Sequence, residues 1–379
     1  MGSVRRPDFL IVGAGFTGAV AARLLAEAGA GEVLVIDRRD HVAGNAYDAP
    51  NAAGVTVHRY GPHIFHTNSD KVFAFLSRFT AWRAYEHRVE AEIAGRLVPL
   101  PFGVPAIEAL FPADEAAALI AALTERYGAE ARVPILKLRE TDDARLRALA
   151  DFIYAKVFDG YSRKQWGMAT ELLAPSVTAR VPVIVSRDTR YFADRHQAMP
   201  DQGYTAMFAA MLHHPRITVR LNTALEDLEP QLRARRTVYT GPLDEWFGAD
   251  EGALPYRSLR FEEETRPTFG AQPCGTVNFP NNHAYTRITE MGWLTGETSG
   301  ATTLMAEYPQ AHVPGETEPF YPVPTEAAEA LADRYRRRAD ALAGRVWFAG
   351  RLADYRYYNM DQAAARAMTL VEKEVLPSL

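Results

Sequence analysis

The sequence predicts an α/β fold in which a parallel-sheet domain is interrupted by a helical subdomain and by an antiparallel β-sheet domain. Three patterns lead to this prediction. The chain opens with a buried strand, a helix and a second buried strand, helical spacing of apolar residues dominates residues 101–172, and short alternating strands recur up to residue 322. Because a further buried strand and a final helix close the chain, the parallel-sheet domain is expected to be discontinuous.

The expected boundaries lie where these patterns change. The parallel-sheet domain takes residues 1–85, 200–245 and 323–379, the helical subdomain takes residues 101–172, and the sheet domain takes residues 86–100, 173–199 and 246–322. A chain of 379 residues is long enough for two or three such units, at roughly 150 residues per domain.

The opening unit is assigned from its apolar runs and its stop signal. Residues 9–12 and 33–36 are continuous apolar runs, as in buried parallel strands. Residues 17–28 between them have helical spacing, and Gly29 ends that helix. Together they form a strand–helix–strand unit of about 30 residues.

The middle of the chain first changes to alternation and then to helices. Residues 87–100 predict a hairpin, and Asp114 and Asp142 are placed to cap two helices, the second of which is expected to end at Gly160. One antiparallel sheet is expected from four short strands: residues 181–185, 257–261, 276–279 and 285–289. The remaining elements return to the parallel-sheet domain: a strand at 217–221, a helix from Thr325, a strand at 346–349 and a final helix capped by Asp361.

Composition and charge exclude several classes of function. The formal net charge of −5 gives no basic field for nucleic acid, and no apolar run approaches the roughly 18 residues of a membrane span. The single cysteine, Cys274, excludes an internal disulfide, and the first residues lack the apolar core of a signal peptide. These features are typical of a cytoplasmic enzyme.

The turn after the first strand has the spacing of a dinucleotide-binding loop. Gly13 allows a sharp turn, Gly15 lets a pyrophosphate approach the backbone, and Gly18 lets the helix pack on the strand. The anion is then expected at the helix N-terminus, and Asp37 at the end of the second strand is placed to bind ribose hydroxyls. That carboxylate argues against the 2′-phosphate of NADP. Gly350-Arg351 after a late strand favours FAD over NAD.

Two histidines and four segments carry the remaining signal. His63 and His66 have no cysteine or acidic cluster beside them, so no metal site is expected. Four segments together resemble the prokaryotic UDP-galactopyranose mutases: Tyr60 to Thr67 (YGPHIFHT), Gly160 to Gly167 (GYSRKQWG), Tyr285 to Glu290 (YTRITE) and Gly350 to Asp361. The resemblance covers the chain from about residue 9 to residue 375.

The resemblance implies a Rossmann-like FAD-binding domain and an isomerase that uses reduced FAD. Members interconvert UDP-galactopyranose and UDP-galactofuranose: flavin N5 attacks the anomeric carbon, UDP leaves, and the sugar ring opens and recloses. The implied partners are UDP-galactose or a related NDP-sugar and an NAD(P)H-linked or other cellular reductant, and a homodimer is expected. Residues 160–167 resemble a mobile lid.

The resemblance also assigns roles to individual residues. The catalytic set is Arg180, Arg287, His63, Tyr357 and Asn359. The substrate-binding set is Tyr161, Trp166, Arg180, Tyr191, Phe192, Asn278, Arg287, Tyr321 and Tyr357, with the two arginines on the diphosphate and Tyr191 stacked on uracil. The cofactor-binding set is Gly13, Gly15, Phe16, Thr17, Gly18, Asp37, Arg38, Gly44, Asn45, His63, Ile64, Arg351, Tyr357, Asn359 and Met360.

Departures from the family pattern leave alternatives open. Asn359 stands where many members carry aspartate, Ala43 and Ala198 replace common glycines, and the loop at 280–284 is one residue shorter than usual. These changes admit a mutase for another sugar or nucleotide. Two other hypotheses are an FAD-dependent oxidoreductase, such as an amine or hydroxyl oxidase, and a nucleotide-sugar-binding protein without catalysis.

Overall fold

The structure of the protein is a computed structural model that describes residues 6–173 and 182–379. The strands are β1 Phe9–Val12, β2 Val33–Ile36, β3 Asp48–Pro50, β4 Thr56–His58, β5 Phe65–Thr67, β6 Trp82–Ala84, β7 Val89–Ile93, β8 Arg96–Leu100, β9 Arg132–Val133, β10 Val183–Ile184, β11 His196–Pro200, β12 Ile217–Arg220, β13 Arg236–Tyr239, β14 Tyr256–Arg266, β15 Thr276–Asn278, β16 Arg287–Glu290, β17 Thr302–Ala311, β18 Tyr321–Pro322 and β19 Val346–Phe348. The helices are α1 Phe16–Glu27, α2 Asp70–Leu76, α3 Val104–Leu110, α4 Ala113–Tyr127, α5 Ile135–Arg139, α6 Ala144–Ile153, α7 Gly160–Trp166, α8 Gly203–Leu212, α9 Leu243–Trp246, α10 Met291–Thr295, α11 Glu326–Asp340 and α12 Met360–Leu370. None of the helices in these two ranges combines the length and the apolar run that crossing a bilayer requires.

A five-stranded parallel sheet forms the centre of the Rossmann-like domain, in the order β12-β2-β1-β13-β19. Its strands come from three separate stretches of the chain, and α1, α8 and α12 pack together on one hydrophobic core against it. The predicted strand–helix–strand unit is confirmed to within one residue, as are the strands near 217 and 346. The sequence analysis did not identify β13, which lies between β1 and β19.

The contact between α1 and β1 is close enough to require glycine. A Cβ atom added to Gly18 would lie 1.9 Å from the carbonyl oxygen of Gly13 and 3.2 Å from Cγ2 of Ile11. A backbone oxygen cannot move aside as a flexible side chain can. The helix therefore packs directly on the turn, which places its first N–H groups beside the turn.

The second large sheet has seven strands in the order β18-β14-β17-β16-β15-β7-β8, and it is mixed rather than antiparallel. All neighbours in it are antiparallel except β15 and β7, because the β7–β8 hairpin joins with its first strand running in the direction of β15. The expectation that residues 181–185 belong to this sheet is wrong. Their strand, β10, pairs with β9, because Val183 packs into the core of the helical region.

The helical region packs on the β7–β8 hairpin, with which it shares one hydrophobic core. Its main helix ends differently from the prediction: α6 continues through a π-helical stretch, Tyr154–Asp159, directly into α7. Gly160 therefore begins α7 instead of ending a helix. A Cβ at this glycine would lie 2.4 Å from the carbonyl oxygen of Pro280, so the residue permits a close approach and is not a stop signal.

The helix caps agree with the sequence prediction at one position and differ at three. Thr325 caps α11, as predicted, whereas Asp143 and not Asp142 caps α6, through its bonds to the next turn. Helix α4 begins one residue before Asp114. Asn359 is the N-cap of α12 and Asp361 lies in its first turn, where its Oδ2 accepts a bond of 2.9 Å from Thr67 Oγ1. The division into three units stays a prediction.

We expect Gly18→Ala to lower the free energy of unfolding by about 3 kcal/mol, because the added methyl group meets backbone that cannot relax. The matched control is Gly54→Ala, since a Cβ at Gly54 has open space and only its φ of +79° is unfavourable. The control should cost only about 1 kcal/mol. Urea unfolding of both variants measures the difference, and equal losses would contradict the close contact between α1 and β1.

Candidate active site

A cleft opens at the carboxyl ends of the parallel strands, where open α/β sheets bind ligands. The predicted cofactor residues that line it are Gly13, Gly15, Phe16, Thr17, Asp37, Arg38, Gly44, Asn45, His63, Arg351, Asn359 and Met360. Of the other three, Gly18 packs beneath the turn, Ile64 packs against the main core, and Tyr357 lies beside Arg351.

The first turn of α1 is built to receive an anion. Its N-cap is Gly15, which has no side chain to satisfy the free N–H groups, and its first turn carries no acidic residue. Asp37 holds this turn in place: Oδ2 accepts from the N–H of Ala14 at 2.8 Å, and Oδ1 accepts from the N–H of Arg39 at 2.9 Å. Each carboxylate oxygen keeps a second acceptor position for a ribose hydroxyl. These groups fit the diphosphate and ribose of FAD.

The ribose end of the cleft is closed by a charge cluster that the sequence analysis missed. Glu318 lies 2.7 Å from Nη2 of Arg39 and 3.1 Å from Nη2 of Arg38. The Arg39 guanidinium also stacks over the ring of Tyr60, at 4.2 Å from its centroid. The segment that carries Glu318 is thereby tied across the end of the cleft.

His63, at the other end of the cleft, is held as a neutral imidazole. Burial lowers the pKa of His63 to about 3. Its Nδ1 lies 2.8 Å from the carbonyl oxygen of Gly61, which can only accept, so Nδ1 carries the proton and Nε2 is an acceptor. The N–H of His63 donates to Nδ1 of His58 at 3.0 Å, and burial lowers the pKa of His58 to about 4. Two neutral histidines therefore shape this turn.

A row of polar side chains crosses three strands of the mixed sheet. Asn278 on β15 pairs with Arg287 on β16, which pairs with Glu307 on β17, so all three lie on one face. Oε2 of Glu307 accepts from Nε of Arg287 at 2.9 Å and from Nη2 at 2.6 Å. Burial opposes the charge of Arg287, but the Glu307 carboxylate together with Tyr161 and Tyr321 outweighs burial and raises the pKa of Arg287 well above its usual range. The guanidinium is therefore charged, and its direction is fixed.

Aromatic side chains connect this row with the cofactor cleft. Tyr321 stacks on Tyr357 with ring centroids 5.4 Å apart, and the edge of Trp166 meets Tyr321 at 6.4 Å. The Arg351 guanidinium lies over both tyrosines, 5.4 Å from the centroid of Tyr321 and 5.1 Å from that of Tyr357. Burial raises the pKa of Tyr161, which lies within electrostatic reach of Arg287 and Tyr321. The hydroxyls of Tyr161 and Tyr321, whose pKa values are raised by burial, remain protonated and can donate.

The predicted uracil-stacking pair lies on another aromatic cluster. Tyr191 and Phe192 meet edge to face at 5.0 Å, and one face of Phe192 is covered by His66, whose ring is 3.6 Å away. Tyr191 and His87 meet edge to face, with ring centroids 5.9 Å apart. The charge of Arg287 contributes to lowering the pKa of His87, so this cluster lies within electrostatic reach of Arg287. Arg180, the second predicted diphosphate ligand, lies outside the described residues.

The predicted lid residues are docked on the short loop at 280–284. Nζ of Lys164 donates to the carbonyl oxygens of Phe279, His283 and Tyr285, the last two at 3.0 Å. From the opposite side, Nε of Arg257 donates to the carbonyl oxygen of Gln165 at 2.8 Å. All three lysine hydrogens thus end on backbone oxygens. The mobility of residues 160–167 stays a prediction.

Comparisons with known proteins place this site in context. The sequence profile of the UDP-galactopyranose mutase family matches residues 156–357, and that of NAD(P)-binding Rossmann-like domains matches residues 11–79. The chain is 34% identical to the UDP-galactopyranose mutase of Mycoplasma pneumoniae, with 97% of this chain and 96% of the relative covered. It is 32% identical to the dTDP-fucopyranose mutase of Escherichia coli, with 95% and 96% covered.

Solved structures share the fold at lower sequence identity. The crystal structure of a reduced UDP-galactopyranose mutase matches with a TM-score of 0.74 at 17% identity, covering 97% of this chain and 94% of that chain. A redesigned putrescine oxidase matches with a TM-score of 0.56 at 14% identity, covering 96% and 97%. At these identities the likeness is one of fold alone.

We expect the free energy of unfolding to fall as the pH is lowered from about 7 to about 5. Burial lowers the pKa of His58 to about 4 and the pKa of both His63 and His87 to about 3, below their unfolded value of 6.5. Between these values the unfolded chain binds more protons, so acid favours unfolding, by about 2 kcal/mol per histidine over this interval.

Urea unfolding at several pH values measures this slope. His87→Gln, which keeps a partner for the hydroxyl of Tyr85, should remove about a third of the contribution from the three histidines. A free energy of unfolding that does not change across this range would contradict the neutral burial of these rings.

Proposed function

The chain belongs to the UDP-galactopyranose mutase family, and we propose that it interconverts UDP-galactopyranose and UDP-galactofuranose with reduced FAD. The observation that carries this proposal is the Arg287 guanidinium, which the buried Glu307 carboxylate holds close to an aromatic cluster that reaches the cofactor cleft. A fixed cation at this place suits a diphosphate that gains negative charge as it leaves. The enzyme is thus an isomerase that acts on a nucleotide sugar.

The cofactor and the residues around it divide the work. When FAD is bound and reduced, its N5 supplies the nucleophile for the anomeric carbon. The α1 N-terminus and Asp37 hold its diphosphate and ribose. His63 presents a neutral acceptor and adds no positive charge beside the isoalloxazine, and Arg351, stacked on Tyr321 and Tyr357, provides the cation nearest to that end of the cleft.

The substrate is held by cations and neutral donors. Arg287 forks onto the diphosphate, and the family resemblance assigns Arg180 to the same diphosphate. Tyr161, Tyr321 and Tyr357 donate hydroxyl hydrogens to diphosphate oxygens, and burial raises the pKa of Tyr161 and of Tyr321, so these two stay protonated. The family resemblance assigns the remaining contacts. Tyr191, Phe192 and Trp166 contact the uracil, and Asn278 and Asn359 lie near the sugar.

Docking of α7 on the 280–284 loop excludes water from the substrate side of the site. Lys164 and Gly160 bring this helix against the 280–284 loop, which lies beside Asn278. When this side of the site is covered, electrostatic contacts with the diphosphate are strengthened and hydrolysis of the open sugar is prevented. The opening and closing of residues 160–167 admits and releases substrate.

A second substrate is favoured by one specific observation. The relative at 32% identity is a dTDP-fucopyranose mutase, so a 6-deoxy sugar on a thymidine nucleotide is the alternative for the same reaction. Asn359 and the short loop at 280–284 are the positions where a difference in sugar would act.

The experiment that tests the function uses dithionite-reduced protein with UDP-galactofuranose or dTDP-fucofuranose. Conversion of UDP-galactofuranose to the pyranose without stoichiometric flavin oxidation supports the proposal. Faster conversion of the thymidine sugar would assign the alternative substrate. Substrate-dependent oxygen consumption would make the protein an oxidase, and tight UDP binding without turnover would remove catalysis altogether.

We expect Arg287→Lys to lower kcat by about 10²-fold, because a lysine keeps the charge beside Glu307 but cannot fork onto phosphate oxygens. The flavin absorbance of the purified variant should equal that of the wild type. The control is Arg260→Lys on the neighbouring strand β14, whose guanidinium stacks on Tyr308 at the surface. Similar losses in the two variants would remove Arg287 from the mechanism.

We also propose a homodimer in the cytoplasm that draws electrons from an NAD(P)H-linked or other cellular reductant. Family membership supports the dimer and the reductant, and the single buried cysteine suits a reducing compartment. The division into three units, with residues 160–167 as the lid within the helical subdomain 101–172, belongs to the same proposal.

A further inference from the structure

Glu307 is a buried carboxylate with one oxygen satisfied and the other unmatched. The residue is 1% exposed, and its Oε2 takes both hydrogen bonds from Arg287. Its Oε1 is buried and has no hydrogen-bond partner among residues 6–173 and 182–379. A buried acceptor left without a donor destabilises the fold, and does so more strongly when it is charged. If the only role of Glu307 were to hold Arg287, its Oε1 would be expected to have a hydrogen-bond donor or to be exposed to water.

A second buried glutamate in the same sheet shows what a structural role looks like. Glu290 on β16 is 0% exposed, and both of its oxygens are occupied by backbone donors. Oε1 accepts from the N–H groups of Gly270 at 2.8 Å and Ala271 at 3.2 Å, and Oε2 accepts from Gln272 at 2.9 Å. This carboxylate closes a turn and has no oxygen left over. The contrast indicates that the donor for Glu307 comes with a ligand.

The position of Glu307 identifies the part of the ligand that reaches it. A Cβ atom placed on Gly61 would lie 3.5 Å from Oε2 of Glu307, so the carboxylate adjoins the turn that carries His63. The same oxygen, Oε2, accepts from Arg287, which holds the diphosphate in the proposed function. The group that lies between a diphosphate and the flavin end of the cleft is the sugar, and its hydroxyl groups are neutral donors.

We propose that Glu307 binds the substrate sugar: Oε2 orients Arg287, and Oε1 accepts a hydrogen bond from one hydroxyl group of the sugar. This proposal rests on the proposed function. It makes Glu307 a determinant of specificity, since a site built around a hydroxyl group rejects a sugar that lacks it far more strongly than an apolar pocket could. The three side chains that lie side by side on one face of the sheet, Asn278, Arg287 and Glu307, then bind the sugar and its diphosphate together.

The test measures binding to oxidised holoenzyme, in which turnover does not interfere. Dissociation constants are determined for UDP, for UDP-galactose and for the analogues that lack the hydroxyl at C2, C3, C4 or C6. In the wild type, one analogue should bind about 10- to 100-fold more weakly than UDP-galactose, as expected for a hydrogen bond to a charged group. In Glu307→Gln, that single penalty should fall about tenfold below its wild-type value, whereas the other penalties stay as they are.

The matched control is Glu290→Gln, which also removes a buried charge from this sheet. It should lower stability and leave every analogue penalty at its wild-type value. A set of penalties identical in the wild type and in Glu307→Gln would overturn the proposal, as would equal changes in the two variants. The comparison requires that the wild type binds UDP-galactose. A wild type that binds UDP but no sugar nucleotide would overturn the proposed function and this proposal with it.

A penalty located at C6 would also separate the two candidate substrates. Fucose lacks the hydroxyl at C6, so a dTDP-fucose enzyme cannot use that group to satisfy Oε1. Coupling of Glu307 to the C6 hydroxyl thus supports UDP-galactose, and coupling to the C2, C3 or C4 hydroxyl supports the proposal for either sugar.

Discussion

The ion pair between the partly exposed Arg287 and the buried Glu307 is the constraint around which the substrate side of the site is arranged. Taking both charges out of water costs several kcal/mol per ion, and their attraction compensates only if the geometry is good and the remaining donors and acceptors are used. The pair is built on directly opposed positions of β16 and β17, so the backbone register fixes the geometry. The ion pair fixes the orientation of the Arg287 guanidinium before any substrate binds. Such preorganisation is what lowers the reorganisation needed when diphosphate charge develops.

The rest of the site keeps that cation effective by adding almost no competing charge. The histidines near it, His63 and His87, are neutral because burial lowers their pKa values, and the tyrosines keep their protons. Lys164, the cation on α7, is directed away to three backbone oxygens. In surroundings of low polarity a single fixed charge acts more strongly than it would in water. The docked helix and the aromatic rings therefore serve the same end as the ion pair.

The sequence predicted local features better than features that depend on register. The Gly13 to Gly18 turn was predictable because the close contact of Gly18 with Gly13 and Ile11 involves residues near it in sequence, and Arg287 followed from a specific motif. Glu307 was missed, since its pairing depends on how β17 aligns with β16. The signal was present: a glutamate stands at an inward position of an alternating strand, where only a partnered charge is tolerated. Gly160 was misinterpreted for the same reason, because its role depends on the distant carbonyl of Pro280.

Asn359 shows how the chain can depart from the family pattern without losing the site. Asparagine is as good an N-cap as aspartate, and here it begins α12, with its N–H bonded to Oε1 of Gln362 at 2.9 Å. The helix therefore forms in the same place, and its first turn still lines the cleft through Met360. The substitution removes only a negative charge beside the bound cofactor. Asp361 in the first turn still places a negative charge at the positive end of the helix dipole, so the neutral cap changes only the charge at the cleft itself. Asn359 is therefore a change in electrostatics on an intact scaffold, and it gives no support to a loss of catalysis.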